Sequence, residues 1–350
     1  MKTVLMIGPS PHSRGGMASV IATLLANGYG ADDGCRFIAT QVDGSPVRKA
    51  GRAALALAQV VGLLALGRVA LLHVHLASGA SFWRKAAFIA AARLAGRPVL
   101  LHLHGGQFGH FLDQRLSGWR RRLALLLMRD ASAAFALSAA SARLLRAACP
   151  CAAVEVFPNP IDAQAPLPRT PGPTILFLGR LDAQKGVFDL LRAFALVHAA
   201  CPRARLVLAG DGNPALPRQL AAALGVADQV TLPGWVDADQ RAALLATAGV
   251  FVLPSHHEQM PMSLLEAMAA GTPVIASAVG AIPDMLGHGR YGTVVHAGNI
   301  DELAAAILEM LQDNILAENF SARGLERVKS EYHVEKVLAR LRRRYEEMLQ

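Results

Sequence analysis

Short apolar runs alternate with stretches of helical periodicity along almost the whole chain, and this alternation limits the folds open to it more than any other feature. In the first half the strand-like runs are Thr3–Ile7, Val69–His75, Pro98–His102, Ala134–Leu137 and Val154–Phe157. Helical stretches such as Met17–Ala26 and Lys85–Leu94 lie between them. In the second half the runs are Thr174–Leu178, Arg205–Leu208, Val230–Leu232, Val250–Leu253, Val274–Ile275 and Thr293–Val295. Repeated strand–helix units predict a parallel sheet with helices on both faces. Between Phe157 and Thr174, six prolines fall within sixteen residues, a composition that continues neither helix nor central strand. The expected architecture is therefore α/β, with two Rossmann-like domains over 1–165 and 166–332. Ligands of such sheets bind at the carboxyl ends of the strands, so two domains facing each other would enclose a cleft. An amphipathic stretch, His333–Leu349, predicts a final helix over 333–350, either a solvated cap or a helix returning to the first domain.

Composition narrows the classes. At 350 residues, 53% hydrophobic and 17% charged, the chain can bury a large core and is not disordered. Four cysteines, irregularly spaced, suit neither a disulfide framework nor a zinc knuckle, and point to a reducing, cytoplasmic compartment. The start, MKTVLMIGPSP, has an apolar run only from Val4 to Ile7, too short for a secretory signal. Ala53–Leu66 is shorter than the roughly 20 residues of a membrane span and is expected to be a buried helix. The net charge of +9 is unevenly shared. Residues 1–168 hold 18 Lys/Arg and 7 Asp/Glu, whereas 169–350 hold 17 and 19, so an anionic partner is expected on the first half.

The most informative segment runs from Pro254 to Ala278. A strand ends at Pro254, a polar loop carries Glu258, and Pro261 fits the first turn of a helix that Gly271 ends. The free amides of Met262 to Leu265 at that helix start make an anion site. Glu258 and Glu266, eight positions apart, flank it and can accept from sugar hydroxyls. Taken alone, the pair could equally be a capping glutamate and a surface one. After the first strand of the second half comes GRLDAQKG, which brings Arg180 and Lys185 to the same sheet edge as that loop. There the two cations could hold phosphate oxygens, or simply be solvated.

These stretches resemble glycosyltransferase family 4, the retaining transferases of GT-B fold that include bacterial polysaccharide and lipid-linked oligosaccharide enzymes. The resemblance spans almost the whole chain and is densest in FLGRLDAQKG, LAGDG, LPGWV, FVLPSHHE and MSLLEAMAAGTPVIAS. It implies that Arg180 and Lys185 neutralise the diphosphate of a UDP- or GDP-sugar, with the backbone near Leu264 and Leu265 on the phosphates. It further implies that Glu266 holds the ribose hydroxyls, Glu258 contacts the transferred sugar, and the segment from Gly234 to Val236 lies against the base. Gly15 and Gly16, in the glycine loop after the first strand, would lie near the donor phosphates and the acceptor. His104, before Gly105-Gly106, matches the position facing the transferred sugar. One departure is Gln259, where the family usually has glycine, and it bears on donor identity. The resemblance also implies retention by front-face attack. Nothing within the Pro254–Ala278 motif forms an Asp-x-Asp arrangement, so neither a metal ion nor another cofactor is expected.

His73, His75, His102 and His104 alternate at two strand ends, which puts each pair on one face. They are read as core or rim histidines rather than a zinc site, since the next histidine is His110 and the next carboxylate Asp113. The basic surplus gathers at Ser81–Ala86, with Trp83, Arg84 and Lys85, and at Arg115–Arg129. There Leu116, Trp119, Leu123, Leu126 and Leu127 recur at helical steps, with Arg121 and Arg122 off the stripe. This is a packed helix with a solvated side, or a face for an anionic membrane surface; Arg84 and Lys85 could instead grip an acceptor's phosphates. The function expected is transfer of a sugar from a nucleotide-diphosphate donor to a glycan or lipid-linked acceptor, at the inner face of the cell membrane. A nucleotide-sugar epimerase is the rival enzyme. A nucleic-acid binder would need basic residues interleaved with stacking aromatics, and aromatics are only 5%.

Overall fold

A computed structural model describes residues 3–30, 34–163 and 167–350. The chain divides into two compact units, Met1–Pro160 with Val334–Gln350, and Ile161–His333. The division falls inside the proline-rich segment, while the boundary expected at 165/166 lies outside the described residues.

Unit 1 runs β1 (Thr3–Pro9), α1 (Gly16–Ala26), β2 (Cys35–Gln41), α2 (Pro46–Ala65), β3 (Val69–Leu76) and α3 (Ala80–Leu94). It continues through β4 (Val99–Leu103), a single turn α4 (Phe108–His110), α5 (Gly118–Arg129), β5 (Ala133–Ala136), α6 (Ala139–Ala148) and β6 (Ala153–Val156). Its six strands form one parallel sheet in the order β2-β1-β3-β4-β5-β6. The sequence reading missed β2. It is an edge strand interrupted by Arg36 and Thr40, so it lacks the continuous apolar run of the buried strands.

One face of this sheet, with Leu72, Val74 and Leu76, packs under α2, α3 and α5. Helix α2 is not buried as expected. Only Ala56, Val60 and Leu64, one per turn, face inward, and Leu55 and Val61 are exposed. Ser45 caps it by accepting from the Arg48 amide, with Pro46 at its first position. The apolar stripe read over Arg115–Arg129 is only partly buried. Leu116, Ala124 and Met128 are buried, whereas Trp119 and Leu126 face solvent.

Unit 2 runs β7 (Thr174–Leu178), α7 (Val187–Ala200), β8 (Arg205–Ala209), α8 (Ala215–Ala223), β9 (Val230–Gly234), α9 (Ala238–Thr247) and β10 (Val250–Leu253). Then follow α10 (Met262–Ala269), β11 (Val274–Ser277), α11 (Ile282–Met285), β12 (Thr293–Val295), α12 (Ile300–Gln312) and α13 (Asn314–Arg327). The sheet is again parallel and six-stranded, ordered β12-β11-β10-β7-β8-β9.

The last helix, α14 (Val334–Leu349), belongs to unit 1. Val334, Val337, Leu338, Leu341 and Tyr345 recur at three- and four-residue steps and are all buried. Tyr345 reaches the second face of the sheet, where its hydroxyl lies 2.6 Å from His73 Nδ1. Arg340 clasps Glu155 and lies over the Phe157 ring.

Candidate functional site

In unit 2 the strand order sets the loops after β10, β7, β8 and β9 side by side at the carboxyl edge. The β7 loop turns on Asp182, whose carboxylate accepts from the Lys185 amide at 3.0 Å and is also clasped by Arg180 Nε. Gly186 then starts α7 with φ +71, where a Cβ would overlap the Pro254 carbonyl oxygen at the end of β10. Gly280, with φ +61, holds the far side of the β10 loop, since a Cβ there would strike the Glu258 carbonyl. Two glycines thus fix a loop that a larger residue at either point would displace.

On that loop Glu258 is nearly buried, its side chain 8% exposed. Its Oε1 accepts from Lys185 Nζ at 2.6 Å and from Ser255 Oγ at 2.9 Å. The His256 amide donates to the Gln184 carbonyl at 2.9 Å, and the His256 ring reaches Asp189 at 2.7 Å, which ties the loop to α7. Gln259, which stands where the family usually has glycine, is not among the described residues with left-handed backbone, so its side chain brings no backbone strain.

Pro261 sits at the N-cap of α10 rather than in its first turn, and no side chain caps the helix. The expected run of free amides is shorter by one, because Leu265 N–H already reaches the Pro261 carbonyl at 3.4 Å. Leu264 and Leu265 bury their side chains completely, which leaves the backbone of Met262 to Leu264 as the donor end of the helix. At the other end Gly271 takes φ +68, and the Gly271 and Thr272 amides close on Met268 and Ala267, as expected of a terminating glycine.

Glu266 is paired with Arg241 Nε of α9 at 3.4 Å. Burial raises its pKa above the ordinary carboxylate value, and Arg241 opposes that rise. Gly234 ends β9 with φ +81 and open space where a Cβ would stand, followed by a half-exposed Trp235. The structure thus links Lys185 to Glu258 and sets Arg180, Gly234, Leu264, Leu265 and Glu266 on the same sheet edge. Sequence reasoning missed Asp182, Ser255 and Arg241. The first two lie inside quoted motifs, but their polar roles depend on loop closure, and Arg241 sits on a helix with no motif.

In unit 1 the register pairs His75 with His102, which gathers all four histidines on the face under α1 and α14. His75 Nδ1 lies 2.8 Å from His104 Nε2, and His73 Nε2 lies 3.3 Å from His102 Nδ1. Ring nitrogens of His73, His75 and His102 fall within 4.8 Å of one another. The rings, however, stack at 12–33° to one another, so their in-plane lone pairs run side by side rather than toward one point. Burial, then the charge of His104, lowers His73 to about 3. Burial, then Lys85, lowers His104 to about 3. All four are neutral imidazoles at physiological pH.

His104 follows β4 directly, held by its amide on the Leu76 carbonyl at 2.8 Å. Gly15 is the uncapped N-cap of α1, with φ +121 and open space beside it, and Gly16 opens the helix. Lys85 is not a surface residue. It is 1% exposed, with Nζ on Ser81 Oγ at 2.8 Å, rather than standing on the solvated side of its helix. Arg84 is half-buried and donates to Gln41 Oε1. Trp119 alone of the three is exposed, with the Arg120 guanidinium 5.5 Å from its ring centroid.

Comparison with known proteins gives matches over both units. The family described as Glycosyl transferases group 1 matches residues 159–327, and Glycosyltransferase Family 4 matches residues 18–165. A GDP-mannose-dependent alpha-(1-6)-phosphatidylinositol monomannoside mannosyltransferase of Mycobacterium tuberculosis is 32% identical over 275 residues, 71% of this chain and 70% of that protein. A 2-deoxystreptamine glucosyltransferase of Streptomyces kanamyceticus is 28% identical over 290 residues, 76% of this chain and 74% of that one. Sucrose-phosphate synthase from Thermosynechococcus elongatus superposes with a TM-score of 0.81 over 99% of both chains at 21% identity. HepE from Anabaena, solved with UDP and glucose, superposes with a TM-score of 0.76 at 20% identity, over 99% of this chain and 100% of that one. These two structures share the fold.

Proposed function

The chain belongs to glycosyltransferase family 4 and is a glycosyltransferase; on that premise we propose that it moves a sugar from a UDP- or GDP-sugar to a hydroxyl of a glycan or lipid-linked acceptor, with retention of configuration and no metal ion. The observation that carries this reading is the unit 2 edge, where Glu258 and Glu266 flank the open amide end of α10 beside Lys185 and Arg180. Departure of the nucleoside diphosphate is the demanding step, since negative charge grows on its phosphate oxygens. Arg180, Lys185 and the amides up to Leu264 are the groups that stabilise it once the diphosphate displaces the carboxylates they hold.

The pairing of Lys185 with Glu258 gives this site a switch of partners. A diphosphate that takes Lys185 Nζ frees Glu258 Oε1 to accept from a hydroxyl of the transferred sugar. Glu266, held by Arg241, accepts from the ribose, and Gly234 and Trp235 give the base its flat, open approach. In unit 1 we assign His104 to the transferred sugar and Gly15 and Gly16 to donor and acceptor recognition, on the family resemblance alone.

The exposed Trp119 and Leu126, set among Arg115, Arg121 and Arg122, suit a peripheral anionic membrane surface. Among the described residues no helix is long and apolar enough to cross a membrane. The basic, aromatic face of α5, together with the family, is our ground for placing the transfer in cell-surface polysaccharide assembly at the inner face of the membrane.

Calorimetric titration with UDP and with GDP, with magnesium and with chelator, tests the reading. Saturable binding of one nucleotide is expected, indifferent to chelator and lost in Arg180→Ala. Binding of neither nucleotide overturns the donor assignment, and binding that requires magnesium overturns the metal-free mechanism.

A further inference from the structure

Lys85 is the one described lysine buried to 1% exposure, and nothing in the transfer chemistry above uses it. Its ammonium turns back along α3 to Ser81, one turn nearer the start of the helix. That start has Gly79 at its N-cap and no capping side chain. Arg84, next in sequence, donates to Gln41 at the end of β2, and its Nε is buried with no acceptor. Among the described residues, no carboxylate pairs with either cation.

Two cations therefore sit by the positive end of a helix with no negative charge to balance them. The nearby rings do not supply one. His75 and His104 are neutral, each depressed first by burial and then by neighbouring charges that include Lys85. Burial first, and Arg84 second, lower Lys85 itself to about 7. A buried ammonium under this strain either gives up its proton or holds an anion that the chain does not provide. Unpaired helix amides, a point charge and a planar guanidinium together select tetrahedral oxyanions.

We propose that unit 1 carries a phosphate-type anion site of its own, built from Lys85 Nζ, the Arg84 guanidinium and the uncapped first turn of α3, and that a phosphate or phosphodiester group of the acceptor fills it. Assigning the anion to the acceptor rests on the transfer reading; the site itself rests on unit 1 alone. The site lies on the strand-end edge that also carries His104, and Arg84 and His104 are both half-buried there.

The test uses the full chain carrying Arg180→Ala and Lys185→Ala, which removes the two phosphate-facing cations assigned to unit 2. Titration of this background with inorganic pyrophosphate and with glycerol phosphate is expected to show saturable binding and a rise in melting temperature. Lys85→Met is expected to weaken binding at least about tenfold and to abolish the rise, and Arg84→Gln to weaken it about threefold. Because Lys85→Met removes an unpaired buried charge and keeps the side-chain length, it is expected to melt no lower than the background, which separates lost binding from lost folding. Cosedimentation with phosphatidylglycerol vesicles, against phosphatidylcholine vesicles, identifies the source. Retention on phosphatidylglycerol that Lys85→Met removes assigns a lipid headgroup, and binding of soluble phosphates alone assigns a soluble ester. No saturable binding in the background, or undiminished binding in Lys85→Met, overturns the proposal. Failure of UDP and GDP to bind the unaltered chain overturns the donor reading and leaves this titration untouched.

Discussion

At the strand-end edge of unit 2, Lys185 meets Glu258, Arg180 meets Asp182 and Arg241 meets Glu266. At the same edge of unit 1, Lys85 and Arg84 meet only Ser81 and Gln41, and His75 meets His104. The first edge is neutralised before any ligand arrives; the second is not. Binding at unit 2 is thus an exchange of partners, in which a diphosphate gains only the difference between its own contacts and those it displaces. Unit 1 keeps a standing electrostatic cost that an anion, or loss of the Lys85 proton, relieves. The same asymmetry is written into composition, with 18 Lys/Arg and 7 Asp/Glu over 1–168 against 17 and 19 over 169–350.

The largest effects are expected where the exchange itself is broken. Arg180→Ala should lower kcat/KM by about 10²–10³, the scale set by removing one donor to a developing negative charge. Glu266→Ala should weaken nucleotide binding, because an acceptor for the ribose hydroxyls is gone. Glu258→Ala should depress turnover more than nucleotide affinity. Steady-state kinetics beside calorimetry separates the two. If both glutamate variants fold and retain full activity, the unit 2 edge is a structural ion-pair network and its contrast with unit 1 has no functional content.

Acid should distinguish the units next. Burial holds the imidazoles of His73, His75 and His102 below their ordinary 6.5, with His73 at about 3. Between those limits the unfolded chain binds protons that folded unit 1 refuses. Stability present above pH 6.5 is therefore lost as pH falls toward 3, by up to about tenfold in the unfolding constant per pH unit for each histidine. Urea midpoints from pH 7.5 to 4.5 should fall, and His73→Phe should flatten that fall. An unchanged slope would mean that the imidazoles already find protons or partners inside the fold. Lys85 acts on the alkaline side and more weakly. Its folded value of about 7 lies under the ordinary 10.5, so stability should rise with pH across that window, and Lys85→Met should remove the rise.

The sequence showed the parallel sheets through runs such as Val69–His75 and Val250–Leu253, because strands covered on both faces are largely apolar. It hid β2, whose edge position tolerates Arg36. Glu258, Glu266, Arg180 and Lys185 were legible because loop and helix spacing carry them to one edge. Their partners were not. Arg241 reaches Glu266 from a different helix, and Asp182 acts through a turn that exists only once Gly186 abuts Pro254. Lys85 misled for the same reason. A basic residue beside Trp83 and Arg84 reads as surface, and only the packing of α3 against the sheet shows that it points inward.

The smallest expected effect concerns the surface. Unit 1 exposes Trp119 and Leu126 on α5 beside Arg120, Arg121 and Arg122, whereas the exposed Leu196, Leu216 and Ile315 of unit 2 lie in a half with no basic surplus. Interfacial binding adds the burial of an aromatic ring to about 1 kcal/mol for each basic residue close to anionic lipid. Trp119→Ser should therefore lower partition onto phosphatidylglycerol vesicles by about three- to tenfold, and Arg121→Gln with Arg122→Gln by a comparable factor that shrinks as salt rises. Neither change touches the strand-end edges, so nucleotide binding should stay at the parent value. Vesicle binding that survives both changes would remove α5 as the membrane-facing surface of unit 1.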